Sequence, residues 1–157
     1  MHTQLTELAE MLCFANNVLL HGDVSPKNIL FHATGPVFLD AECATMGDAS
    51  FDPAFCLNHL VLKAIHLPTA RERLLNNITA FFSAYSKHLN FGNSLEIEVR
   101  VARLLPALML ARVDGKSPVE YLAEKDRKAV RKLATELILS PETTIASVVS
   151  RIGDRLV

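Results

Sequence analysis

Nothing in this sequence can staple the chain or thread it through a bilayer. Its cysteines, Cys13, Cys43 and Cys56, are an odd number with no C-x-x-C spacing. Neither a disulfide framework nor a structural zinc site is expected, and buried, reduced thiols in a cytoplasmic protein are. The richest apolar stretch, Leu104 to Ala111, is far too short to cross a membrane. The N-terminus lacks the basic segment and long apolar run of a signal peptide. Tryptophan is absent, there is no repeat or low-complexity tract, and the six glycines (positions 22, 35, 47, 92, 115 and 153) are scattered without a G-x-G-x-x-G. Charge of one sign is missing too. With 16 Lys plus Arg against 17 Asp plus Glu, the balance gives no general reason to expect binding to nucleic acid or a membrane surface.

What is present suits one globular domain over residues 1–157, since 50% of the residues are hydrophobic and 21% charged. The balanced charge hides an asymmetry. Residues 1–60 hold seven acids (Glu7, Glu10, Asp23, Asp40, Glu42, Asp48, Asp52) and one base, Lys27, whereas the remaining 97 hold fifteen bases and ten acids. An acidic first third suits a divalent metal or a cationic substrate; scattered solvated charge is the plainer reading.

Apolar Leu5, Leu8, Leu12 and Ala15 recur at helical spacing, which predicts a short amphipathic helix from Thr3 to about Asn16. Asn28–Phe31 and Val37–Leu39, separated by Ala33-Thr34-Gly35-Pro36, read as a small β-hairpin. The rest reads as helix. Asp52-Pro53 is an N-cap and N1 pair opening a helix to about Ile65, with Pro68 after it. Further helices are predicted over Thr69–His88, over Ser94–Arg112 with a kink at Pro106, and over Glu124–Leu139. Asp114-Gly115 should stop the second of these, and Ser117-Pro118 should begin a turn of helix through Leu122. Ser140-Pro141-Glu142 should cap a last helix. The expected fold is mainly α with one small hairpin.

The informative stretch is His21-Gly22-Asp23-Val24-Ser25-Pro26-Lys27-Asn28, followed by Asp40-Ala41-Glu42. Phosphoryl transfer asks a protein to hold an acceptor hydroxyl in line and to neutralise phosphate oxygens. A carboxylate on a rigid loop can orient the hydroxyl and take its proton. An amide oxygen five residues on, with a carboxylate across the hairpin, supplies the hard oxygen ligands that Mg²⁺ prefers. Asp23, Asn28 and Asp40 have the right types. Spacing alone does not show that they converge, although a hairpin joining Asn28 to Asp40 makes it reasonable.

His-Gly-Asp-x-x-x-x-Asn followed by Asp-x-Glu resembles the catalytic loop and metal segment of aminoglycoside phosphotransferases, choline kinases and their relatives, whose fold is that of protein kinases. Gly47-Asp48-Ala49-Ser50-Phe51-Asp52 is similar to the family's Gly-Asp-Pro-x-x-Asp. The resemblance implies the C-terminal lobe of a protein-kinase-like fold and ATP-dependent phosphorylation of a small-molecule hydroxyl. It also implies Asp23 as catalytic base and Asn28 and Asp40 as Mg²⁺ ligands. Some likeness to methylthioribose kinase extends the ligand set to Glu42. His21 is expected to brace the loop, Asp48 to hold it and Asp52 to cap the next helix; Lys27 either touches the nucleotide's γ-phosphate or is solvated. Two departures concern the substrate class: Ala41 replaces the usual aromatic residue, and no Pro follows Gly47-Asp48.

Such kinases also use an N-terminal lobe with a glycine-rich cover for ATP and a lysine paired with a glutamate. The catalytic loop here begins at residue 21, and Lys63 lies on a predicted helix rather than a strand, so that lobe is expected to be missing. Three readings follow: a truncated kinase inactive alone, half of a split kinase completed by a separate N-lobe, or a non-enzymatic interaction module on the same scaffold. A metal-dependent hydrolase using the same carboxylates is a more distant alternative. The face left uncovered should expose apolar area and favour a homodimer. His2, His32, His59, His66 and His88 show no ligand spacing and read as surface or core residues. Arg112 or Asp114 could contact an acceptor, though a helix stop explains that stretch equally well. Lys125, Arg127, Lys128, Arg131 and Lys132 read as a solvated helix face.

Overall fold

The computed structural model describes residues 1–156. Six helices and four short strands follow one another as α1 (His2–Phe14), β1 (Val18–Leu20), β2 (Ile29–His32), β3 (Gly35–Phe38), β4 (Thr45–Gly47), α2 (Phe51–His66), α3 (Arg71–His88), α4 (Ser94–Asp114), α5 (Glu124–Leu139) and α6 (Ile145–Leu156). The mainly helical expectation holds, with a correction to the β content. The chain has two two-stranded antiparallel sheets, β1–β4 and β2–β3, in place of a single hairpin. Three-residue strands paired across 25 or more residues (Val18 with Gly47, Leu20 with Thr45) leave too little alternation in the sequence to detect.

The hairpin is also tighter than expected. Phe31 pairs with Pro36 and His32 with Gly35, so the turn is Ala33-Thr34 alone and Pro36 lies inside β3. Proline is tolerated there because a two-stranded ribbon needs donors on one side only. His32 Nδ1 and the Thr34 hydroxyl lie 3.0 Å apart across the turn.

The helical body is where burial happens. Along α2, Ala54, Leu57, Val61, Leu62 and Ala64 have no exposure at all, and they share one core with Val101, Leu105 and Met109 of α4, against which α2 packs. Each such large side chain contributes on the order of 2 kcal/mol by leaving water. Helix α5 packs on α4 through Val130, Leu133, Ala134 and Leu137, and α6 closes the body through Ile145, Val148 and Ile152.

The helix ends explain several differences from the sequence reading. Helix α4 contains Pro106 within its length and starts on Asn93, whose side chain accepts the Leu95 amide. It stops at Gly115, where a Cβ would overlap the Ala111 carbonyl. No helical turn forms over residues 117–122. Those residues are a loop, because Arg112 donates to the Ser117 carbonyl and Arg127 to the carbonyls of Val119 and Leu122, drawing the backbone outward. Helix α6 is not capped by Ser140-Pro141-Glu142. The Thr144 hydroxyl accepts the Ser147 amide and Glu98 of α4 accepts the Ile145 amide, so the capping is shared between a neighbouring threonine and a residue 47 positions away. Cys56 is buried, but Cys13 and Cys43 are exposed, correcting the expectation of buried thiols. Among the described residues no helix is long and apolar enough to cross a membrane.

Candidate active site

The loop His21–Asn28 runs from β1 into β2, and its shape is set by two residues of the motif and one beyond it. Gly22 has φ of 81°, and a Cβ there would overlap the carbonyl oxygen of Cys43. Both the left-handed backbone and the close approach require glycine. The Asp52 carboxylate accepts the His21 amide at 2.8 Å and the Gly22 amide at 3.0 Å, one on each oxygen. Charged acceptors make such bonds short and strong.

The expected roles of the two anchoring acids are therefore exchanged. Asp52 holds the catalytic loop and does not cap α2, which begins a residue earlier, at Phe51. Asp48, expected on the loop, accepts the Ser50 amide and hydroxyl at 2.8 and 2.6 Å and pairs with Arg100 of α4 at 3.3 Å. Asp48 is buried, so its charge depends on these partners.

His21 braces the loop on both ring nitrogens. Nδ1 accepts the Asp23 amide at 3.2 Å, which leaves the proton on Nε2 to donate to the Leu39 carbonyl at 2.9 Å. One ring thus ties the loop to the end of β3. Asn28 is buried and donates through Nδ2 to both the backbone carbonyl and the carboxylate of Asp23, at 3.0 and 2.9 Å. Lys27 Nζ lies 3.7 Å from the same carboxylate oxygen, with most of its side chain in solvent.

Asp40 reaches this cluster through the hairpin. The Leu39 amide donates to the Asn28 carbonyl at 2.8 Å, so Asn28 and Asp40 sit at the open end of the ribbon. Asp40 is the non-glycine residue with positive φ (62°), a left-handed turn that aspartate adopts more readily than most. No hydrogen bond or ion pair engages the side chains of Asp40 or Glu42 among the described residues, and both are exposed. Asn28 Oδ1 likewise makes no bond, since both of that side chain's contacts use Nδ2. Uncommitted hard oxygens at one end of a hairpin are the donor type Mg²⁺ prefers, although among the described residues no three His, Cys, Asp or Glu side chains are grouped so as to hold a metal ion.

Residues 5–78 match the family model APH, phosphotransferase enzyme family. That segment, a little under half of the chain, is similar to the phosphotransferase enzyme family. The phosphotransferase segment takes in most of α1, both sheets, the loop, α2 and the first part of α3, and it is the family to which the His-Gly-Asp-x-x-x-x-Asn pattern pointed. No curated protein matches the chain.

Beside the loop lies a cavity of about 580 Å³ between α2, α3 and the loop that follows α4. Its wall includes Ser25, Lys27, His59, Lys63, Arg112 and Tyr121. Sequence reasoning treated His59 as an ordinary surface or core residue and ruled Lys63 out only as the strand lysine of an N-lobe. Their spacing of four on α2 was the signal available, since it puts two polar groups on one face. Arg112 was a candidate from the sequence and does line the cavity. Asp114 does not, being held by the guanidinium of Arg131 at 2.9 to 3.0 Å, which keeps its carboxyl below the usual range. The basic face of α5 is partly structural: Arg127 and Arg131 hold the loop and the end of α4, while Lys125, Lys128 and Lys132 are solvated.

Proposed function

We propose that this chain carries the catalytic-loop side of a small-molecule kinase, with the arrangement of the C-terminal lobe of a protein-kinase-like fold. The observation that carries the reading is the Asp23–Asn28 pair, on a loop pinned by Asp52 and His21, within a segment of the phosphotransferase family. In the proposed reaction the acceptor hydroxyl oxygen attacks the γ-phosphorus of ATP. The bond to the β,γ-bridging oxygen breaks, its electron pair leaves with ADP, and Asp23 takes the hydroxyl proton.

Asn28 orients Asp23 through the 2.9 Å bond to one carboxylate oxygen, leaving the other oxygen for the hydroxyl. Lys27 adds a positive charge beside Asp23 and, being mobile on an exposed stem, can reach a phosphate oxygen. Asn28 Oδ1 and Asp40 would hold Mg²⁺, with Glu42 as a further ligand by likeness to methylthioribose kinase. Once held there, the ion neutralises phosphate oxygens.

The nucleotide's cover belongs on the hairpin side, where Leu30, Phe31, Val37 and Phe38 are exposed. An N-lobe seated there would complete the enzyme, and residues 1–157 by themselves bind ATP weakly and transfer nothing; a split kinase completed by a separate N-lobe is the alternative reading. Isothermal titration with Mg-ATP, run beside an Asp40→Ala variant, tests this. Weak binding that the variant abolishes supports the reading. Binding that the variant leaves unchanged overturns the role of Asp40, and phosphoryl transfer by the chain alone overturns the need for a further lobe.

A further inference from the structure

The cavity beside the catalytic loop carries an excess of positive charge that nothing in the protein uses. Three of its wall residues are cationic, Lys27, Lys63 and Arg112, against one acid, Glu120. Lys27 has Asp23 as a partner. No carboxylate of the described residues lies within ion-pair distance of Lys63 or Arg112. Half-buried cations are costly to leave unpaired, and proteins commonly keep them so where a ligand supplies the counter-charge.

Both groups are held in place rather than left to wander. The Lys63 ammonium sits 3.8 Å from the centre of the Tyr121 ring, which orients it without neutralising it. Arg112 donates from one terminal nitrogen to the carbonyl and hydroxyl of Ser117, at 2.6 and 3.0 Å, and its Nε is buried without a partner. The fork of its guanidinium is therefore not used up. His59 Nε2 and the Tyr121 hydroxyl are also buried and unpartnered on the same wall. Burial first, and the nearby Arg112 second, push the His59 imidazole down to about 4, so the ring is neutral at physiological pH and available as a hydrogen-bonding group.

Of the acids in the first third, Asp23 offsets Lys27 alone, and the others do not offset Lys63 or Arg112, despite the cationic substrate their number suggested. Asp48 and Asp52 are committed to structure, Glu7 pairs with Arg103, and Asp40 and Glu42 belong to the hairpin end. The volume of about 580 Å³ suits a small molecule.

We infer that this cavity receives the acceptor and selects a hydroxyl compound bearing an anionic group, a carboxylate or a phosphate, which Arg112 and Lys63 bind while the hydroxyl approaches Asp23. The inference rests on the phosphotransferase reading for the direction of the hydroxyl, but its charge selection does not. A polycationic aminoglycoside is the wrong ligand for this wall, because like charges brought together in a partly desolvated site repel.

Binding measurements without nucleotide separate the two ideas. The probes are ribose 5-phosphate, gluconate, ribose and kanamycin, titrated into the full chain and into Arg112→Gln and Lys63→Met variants. Because Arg112 also holds the following loop, its variant is checked by thermal melting, and Lys63→Met provides the arm that leaves Ser117 alone. At least one anionic probe should bind more tightly than ribose, and each substitution should weaken it about tenfold, as for loss of one charge-assisted contact. Phosphate or carboxylate preference appears as the difference between the first two probes. Anion binding with this dependence supports the inference even if Mg-ATP binding proves indifferent to Asp40. Tighter binding of kanamycin, no binding of either anion, or anion binding unmoved by both substitutions overturns it and leaves the kinase reading standing.

Discussion

Residues 1–50 and residues 51–156 are held by different forces. Among the described residues Ala49 is the sole member of the main hydrophobic core that precedes residue 51, whereas nine of the thirteen exposed large hydrophobics (Met1, Phe14, Leu19, Leu30, Phe31, Val37, Phe38, Leu39 and Met46) do so. The helical body is stabilised by burial. The first fifty residues carry the candidate chemistry on two thin sheets and are tied to the body largely by polar contacts. The Asp52 carboxylate holds the loop amides, Asp48 pairs with Arg100, Tyr85 donates to the Ala49 carbonyl at 3.0 Å, and Glu7 pairs with Arg103 at 3.1 Å. Directional bonds position a loop to within tenths of an ångström, which burial alone does not. The cost is that few of them can be lost.

The comparison breaks or sharpens with four measurements. The largest effect belongs to the body: Leu57→Ala, at a site with no exposure, should cost about 3 kcal/mol in urea unfolding by leaving a cavity. Phe31→Ser, at 88% exposure, should move the same transition by no more than about 0.5 kcal/mol. Equal effects would mean that the first fifty residues are buried after all.

Next comes the tether. Asp52→Ala should cost about 2 kcal/mol, because two loop amides lose a charged acceptor. Hydrogen exchange should accelerate at His21 and Gly22 and stay unchanged in α5; acceleration across α5 as well would show that the two regions are one cooperative unit.

A smaller, pH-dependent effect belongs to His59. Its folded value of about 4 lies below the ordinary 6.5, so between these values the unfolded chain takes up a proton that the folded chain refuses. The contribution is complete above about pH 6.5 and drains away as pH falls towards 4. His59→Gln should flatten the fall in melting temperature over that window, and an unchanged slope would place the ring in water.

The smallest effect is at the surface. Glu7→Gln should cost at most about 0.5 kcal/mol and less in high salt, since both partners of the Arg103 pair are well exposed. A larger loss would make that pair a true support of α1.

The elements that could be read in advance share a cause. Helix α5 lies over Glu124–Leu139 as its spacing predicted, and the ends of α2 and α3 fall within a residue or two of expectation, because periodicity and stop signals act within one element. The loop motif was legible for the same reason, since Gly22, Asp23 and Asn28 meet through seven consecutive residues. Sheet β1–β4 was not, nor was the capping of α6 by Glu98, because each joins residues 25 or more positions apart with no local mark on either partner.

The sequence by itself determined that this protein has a mainly helical body and a phosphotransferase-type loop, since both are written in short-range pattern. Tertiary structure alone decided which of Asp48 and Asp52 grips that loop, and it alone brought Arg112 to the wall that His59 and Lys63 share. The reason is that α2 packs against α4. Buried apolar area sets the angle and depth of that contact, and the polar residues at its edge meet wherever the packing leaves them.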